Sequence, residues 1–183
     1  TGAARLAARS AYRIGAGMVS VAASPDVVPV YANDDPGLII YPISEIPDFI
    51  ELIKDKRKNA VLIGPGCGVS PETKEMALES VVKGKHTVLD ADALTVFKGD
   101  TSTLFSKVKG GLLVLTPHEG EFARLFEFTG DKLTKCRLAA AACNSVVVLK
   151  GPDTVIASPD GRAVINNNSP ATLATAGSGD VLA

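Results

Sequence analysis

The residues best equipped for chemistry stand at positions 172–183, TLATAGSGDVLA. Gly177-Ser178-Gly179 can turn tightly and expose several backbone N–H groups, because glycine has no Cβ to block an approaching ligand. The apolar Val181-Leu182-Ala183 that follows reads as the first turn of a buried helix. Unpaired N–H groups at such an end, together with the helix dipole, form a site for phosphate or another developing anion. Asp180 sits at the rim of that site. A carboxylate there is repelled by phosphate unless it has work to do, such as taking a proton from a hydroxyl. The plainer alternative is that Ser178 or Asp180 caps the helix, the common role of these residues beside glycine.

Four other groups carry reactive or permissive residues. Gly64, Gly66 and Gly68 in GPGCG lack the final glycine of a GxGxxG dinucleotide fingerprint. No acidic residue ending a second strand at the expected distance makes a convincing match, which argues against hydride transfer on a Rossmann domain. The loop suits close backbone approach to a substrate, or is a plain strand-to-helix turn. Asp90 and Asp92 straddle a strand end, where paired carboxylates can hold magnesium through water or orient a hydroxyl. Asp92 precedes ALTVF and is expected to be an N-cap; the role of Asp90 is left open. His118 and Glu121, spaced i and i+3, share one face of a helix start. There Glu121 can also simply complement the dipole. In Lys150-Gly151 the lysine suits phosphate and the glycine admits a base or ribose, with a surface turn as the alternative.

Three cysteines, Cys67, Cys136 and Cys143, form no CxxC pair, and their odd number fits a reducing cytosol. They are expected to be small buried residues. His86 and His118 have no ligand-spaced neighbours, which argues against zinc. A net charge of −1 gives no field for nucleic acid. No apolar run reaches the ~20 residues that span a bilayer.

These groups need a frame to bring them together. Apolar runs at 19–23, 38–43, 60–64, 87–91, 112–116 and 146–150 are mostly continuous rather than alternating, as in parallel strands covered on both faces. Helical stretches separate them at about 3–14, 71–83 with Ser70 as N-cap, 119–126 and 132–144. Strands alternating with helices predict right-handed βαβ units in a three-layer α/β/α sandwich with a mostly parallel central sheet. Residues 153–158 and 162–167 flank Pro159-Asp160-Gly161, an antiparallel hairpin. Ligands bind such sheets at the carboxyl ends of strands, where the four loops at 64–68, 90–92, 116–121 and 150–151 fall; the hairpin and the glycine turn before Asp180 follow in sequence.

Taken in order, TGAARLAARSAYRIGAG, GPGCG, VLDADAL, LTPHEGEFARLF, VVLKG and ATAGSGDVLA resemble the ADP- or ATP-dependent NAD(P)H-hydrate dehydratases, whose fold is ribokinase-like. The resemblance covers essentially the whole chain as one domain, 1–183. It implies repair of NADHX and NADPHX, nicotinamide cofactors hydrated at C6: a nucleotide phosphorylates the added hydroxyl, and loss of phosphate restores NADH or NADPH. In that frame Asp180 is the base. Ala3, Gly66, Gly68, Pro117, His118, Glu121 and Asp180 match substrate-contacting positions. Lys150, Gly151, Thr154, Thr175, Ala176, Gly177, Ser178 and Gly179 match nucleotide-binding stretches, and Glu121 would organise Mg2+ through water. ADP and ATP are not distinguished. The resemblance further implies a cytoplasmic homo-oligomer without nucleic-acid or membrane partners. Family members begin with a strand and glycine-rich loop before TGAA and continue past the catalytic Asp, so truncation at both ends is expected. The alternatives are a vitamin-precursor kinase of the same fold, with Asp180 as the same base, or a nucleotide-binding module without catalysis.

Overall fold

Continuous Val, Ile and Leu runs stay buried on both faces only where helices cover them, and the chain builds that arrangement. The computed structural model describes residues 1–109 and 112–183. Six strands form the main sheet in sequence order: β3 (Ala60–Ile63), β4 (His86–Leu89), β5 (Leu113–Leu115), β6 (Val146–Leu149), β7 (Thr154–Ala157) and β8 (Ala163–Asn166). Neighbours from β3 to β6 pair in parallel, whereas β7 and β8 run antiparallel. A separate parallel pair comprises β1 (Ser20–Ala23) and β2 (Ile39–Pro42). The expected hairpin is present, its turn fixed by Asp160, which accepts from the Arg162 N–H at 3.2 Å and from Arg162 Nε at 2.7 Å.

The helices start where the sequence supplies caps. In α4 (Pro71–Val82), Ser70 accepts from the Thr73 N–H at 3.3 Å and proline fills the first turn, where no donor is needed. In α8 (Lys132–Cys143), Asp131 accepts from the Thr134 N–H at 2.9 Å. The remaining helices are α1 (Gly2–Arg13), α2 (Val28–Ala32), α3 (Ile46–Lys54), α5 (Asp92–Thr95), α6 (Thr101–Phe105), α7 (Glu119–Leu125) and α9 (Ser178–Leu182). Of these, α2, α3 and α6 go beyond the sequence reading.

Packing of α4 on β3 and β4, and of α8 on β6 and β7, buries the strand side chains. Leu89, Leu115, Val147 and Leu149 are wholly inaccessible, each burial worth about 1.5–3 kcal/mol against exposure. Cys136 and Cys143 belong to this core as expected, and burial pushes the Cys143 thiol up to about 11. The architecture is a three-layer α/β/α sandwich of ribokinase-like type. A smaller core of Ala8, Val21, Ala23, Tyr31 and Leu38 lies under α1. Arg5 grips Asp34 through Nε at 2.8 Å and a second nitrogen at 2.7 Å, holding α1 to the turn after α2.

Register decides what meets at the rim. Ile63 lies beside Leu89, Leu89 beside Leu115, and Leu115 beside Val147. One residue further on, Gly64, Asp90 and Thr116 therefore stand in line. The bridge between His118 and Lys150 extends the row.

Candidate active site

Asp90 leaves the end of β4 almost wholly buried, at 2% exposure. A buried carboxylate is unfavourable unless paired and hydrogen-bonded. Both conditions are met: its Oδ1 accepts from Lys150 Nζ at 2.7 Å and from Thr116 Oγ1 at 2.8 Å. The ends of β4, β5 and β6 are thereby tied together. The ladder also continues past the strands, with the Lys150 N–H donating to the Pro117 carbonyl at 2.8 Å. Pro117 itself is fully buried, so it shapes the turn more than it faces the cleft.

His118 is the N-cap of α7. Its Nδ1 accepts from the Gly120 and Glu121 N–H groups at 3.0 and 3.2 Å, while Glu121 Oε2 accepts from the His118 N–H at 2.9 Å. This reciprocal capping box satisfies three donors that a helix start leaves unpaired. It places the imidazole proton on Nε2, 3.5 Å from Glu121 Oε1. Lys150 Nζ stands 3.9 Å from Glu121 Oε2.

The 64–68 loop is fastened at both ends. Gly64 has φ +128, and a Cβ there would lie 1.7 Å from the Asp90 carbonyl oxygen. The Cys67 N–H donates to the Gly64 carbonyl at 3.1 Å, and Cys67 Sγ accepts from the Gly64 N–H at 3.3 Å. Cys67, expected to be buried like the other two cysteines, is instead exposed because its loop lies at the open rim; partial burial of the sulfur still pushes its pKa up, with Asp92 adding to the effect. Asp92 corrects the sequence reading. The cap position of α5 is Ala91, and Asp92 Oδ2 accepts from the Gly68 N–H at 2.8 Å instead of capping its own helix. A carboxylate one residue inside the helix reaches the facing loop more easily than its own N–H groups.

The terminal motif joins this rim through α1. A Cβ on Gly66 would sit 3.8 Å from Ala3 Cβ, and one on Gly177 only 2.5 Å from Leu6 Cδ1. Gly177 is the cap residue of α9 at φ +89, a conformation that suits glycine. The expected buried helix starting at Val181 instead begins at Ser178 and has no buried residue, Val181 and Leu182 being exposed because no element covers them among the described residues. Neither Ser178 nor Asp180 caps it; Ser178 Oγ donates to the Thr175 carbonyl at 2.9 Å. Lys150 Nζ lies 3.7 Å from the position a Gly179 Cβ would take. Asp180 is half-buried, and its carboxylate has no ion-pair partner among the described residues. Thr175 and Ala176 are exposed before the turn. In the 150–154 loop, Thr154 Oγ1 donates to the Gly151 carbonyl at 2.8 Å and accepts from its N–H at 3.2 Å. Lys132 stands against Gly151 and pairs with Asp153 at 2.7 Å.

The donor set does not fit a magnesium ion held by protein alone. Among the described residues no three His, Cys, Asp or Glu side chains converge as metal ligands. Asp90 is committed to Lys150, and Glu121 Oε2 to the His118 N–H. Magnesium commonly takes most of its ligands from nucleotide phosphates and water, which leaves Glu121 Oε1 suited to a water-mediated contact.

The main sequence candidates thus assemble on one rim, from Ala3 and Gly66 through Lys150 to Gly179. What sequence reasoning missed is that Asp90, itself held by the Thr116 hydroxyl, holds Lys150. Lys150 lies sixty residues beyond Asp90, and no local pattern announces the pair.

The NAD(P)H-hydrate dehydratase family matches residues 1–183. The bifunctional NAD(P)H-hydrate repair enzyme Nnr of Moorella thermoacetica is 37% identical over the whole chain, which spans 37% of that relative's length. The ADP-dependent (S)-NAD(P)H-hydrate dehydratase of Neisseria meningitidis is 34% identical, with 62% of its length covered. Among solved structures, the ADP/ATP-dependent NAD(P)H-hydrate dehydratase of Bacillus subtilis, co-crystallised with ATP/Mg2+, superposes with a TM-score of 0.79 at 30% identity. That match covers 99% of this chain and 64% of the other. A hydroxyethylthiazole kinase from Pyrococcus horikoshii shares the fold at TM-score 0.61 and 18% identity, over 97% of this chain and 73% of its own. With its rim residues assembled and its full length matched, the chain belongs to the NAD(P)H-hydrate dehydratase family.

Proposed function

We propose that residues 1–183 form one dehydratase domain that converts NADHX and NADPHX to NADH and NADPH at the expense of ADP or ATP. The observation that carries this reading is the position of Lys150, 2.7 Å from Asp90 and beside Gly179 at the start of α9. A terminal phosphate placed against that ammonium also meets the N–H groups of Gly177 and Gly179, next to Asp180. The hydrated nicotinamide then lies toward Ala3, Gly66, Gly68 and His118, with the backbone of Pro117 shaping the turn. The adenosine side runs along Gly151, Thr154, Thr175 and Ala176.

Asp180 takes the C6 hydroxyl proton as the oxygen bonds to phosphorus and the bond to the nucleotide's leaving oxygen breaks. General-base help of this kind is worth about 10²–10⁴-fold. Lys150 and the N–H groups stabilise charge on the transferring phosphoryl group. Departure of phosphate, with a proton from the neighbouring ring carbon, restores the dihydronicotinamide. Magnesium on the phosphates would neutralise charge, with Glu121 its water-mediated contact.

Cytoplasmic residence and a homo-oligomeric state belong to the same reading. No described helix is long and apolar enough to cross a membrane. The test is to incubate the full native polypeptide with NADHX and either nucleotide while following the absorbance of reduced nicotinamide. Recovery supports the lyase. A stable phosphorylated product from a vitamin precursor, without recovery, replaces it with a kinase; nucleotide binding without either reaction leaves a binding module.

A further inference from the structure

Two successive acidic residues at the end of β4 serve different loops. Asp90 accepts from Lys150 Nζ and Thr116 Oγ1, whereas Asp92 accepts from the Gly68 N–H at 2.8 Å. Between them Ala91 has φ +47 and ψ −114, a conformation L-residues seldom adopt. Such a conformation is unfavourable and persists where its surroundings over-determine it. The surroundings here are the two carboxylate contacts on either side and the Asp90 carbonyl seated in the space Gly64 leaves open. The sharp change of chain direction sends one carboxylate to the lysine beside α9 and the other to the loop beside α1. Fold stability alone gives little reason to keep this arrangement, because a buried ion pair is often no more stabilising than well-packed apolar residues.

We propose that Asp90-Ala91-Asp92 is a bracket that positions both halves of the active site. Asp90 fixes the Lys150 ammonium for the nucleotide phosphates, and Asp92 fixes the 64–68 loop for the hydrated cofactor. Both are positioning residues, since each acts through another group. The bracket rests on the reaction proposed above for the identity of its second ligand, while its nucleotide arm is read by binding alone.

The test compares Asp90→Asn and Asp92→Asn in the full native polypeptide, measuring Kd for ATP and ADP by calorimetry, KM for NADHX, and Tm. Asp90→Asn should weaken nucleotide binding about tenfold, the loss expected when a charged hydrogen-bond partner is removed, and leave KM for NADHX within about twofold. Asp92→Asn should raise KM for NADHX about fivefold and leave nucleotide Kd within about twofold. In a Lys150→Met background, Asp90→Asn should weaken nucleotide binding no further, because both changes remove the same interaction. Where Asp90→Asn lowers Tm by more than about 10 °C, Thr116→Val reads the same arm. It removes the hydroxyl bonded to Asp90 and should weaken ATP about threefold. Equal effects of each variant on both ligands, no effect on either, or a full Asp90→Asn effect in the absence of Lys150 overturns the bracket. Wild-type protein that binds ATP but restores no NADH overturns the assigned reaction and leaves the Asp90 arm to be decided by Kd.

Discussion

The two sides of the rim are built to opposite standards. On the strand-end side, Asp90, Thr116, Lys150 and Glu121 are buried or nearly so, and each has a named partner. On the α9 side, residues 171–176 are exposed, and the Asp180 carboxylate has no ion-pair partner among the described residues. A group that must hold a phosphate in place gains from fixed neighbours. One that must accept and release a proton gains from having none that locks its charge. On the roles proposed above, the contrast separates binding from chemistry within a single cleft.

The largest effect should come from Asp180→Asn. Turnover should fall by about 10²–10⁴-fold with nucleotide affinity and urea stability nearly unchanged; retained turnover would refute the role given to this residue. Lys150→Met should do the reverse on the stability axis. It strands a buried carboxylate and should lower the unfolding free energy in urea by about 3–5 kcal/mol. A neutral result would mean that Asp90 is less committed than its geometry indicates.

Gly177→Ala tests the joint between α1 and α9. Its Cβ would meet Leu6 Cδ1 at 2.5 Å in a left-handed conformation, so a loss of about 1–2 kcal/mol is expected. Leu6→Ala in the same chain should return the steric part and leave the conformational part, as chemical denaturation of the pair would reveal.

The smallest effect is the pH response, and it lies away from α9. Arg5 holds the Asp34 carboxyl below its ordinary value, Lys74 does the same for Asp100, and the Thr134 N–H for Asp131. These groups bind protons more readily when unfolded, so their stabilisation is full above about pH 4 and is lost as pH falls through the lower folded values. Cys143, raised to about 11, works at the other end. Its contribution is intact below the ordinary thiol value and disappears as pH rises through about 11. Urea midpoints measured from acid to alkali should therefore form a plateau with two falling shoulders; a midpoint that rises on acidification contradicts the first assignment.

Much of the frame was legible because its signals are local. Unbroken apolar runs gave the strands, Ser70 marked the start of α4, and Pro159-Asp160-Gly161 gave the hairpin. The helix α3 was missed although Glu45 and Asp48 form a capping box and proline lies in its first turn. Its apolar Phe49 and Ile53 span too few residues to announce a period. In the site, glycine turns and strand-end lysine could be read directly. The use of His118 as a cap and of Asp92 as an acceptor for Gly68 could not, since both depend on which surface the chain folds against.

The carbonyl of Asp90 occupies the space where any side chain at position 64 would begin. Sequence drift in this loop is therefore closed at its first residue: no single replacement there is compatible with the neighbouring strand keeping its place. Substitution near this loop meets least resistance at Val69, whose side chain is exposed. The far end of the loop can drift there while its junction with the sheet stays fixed.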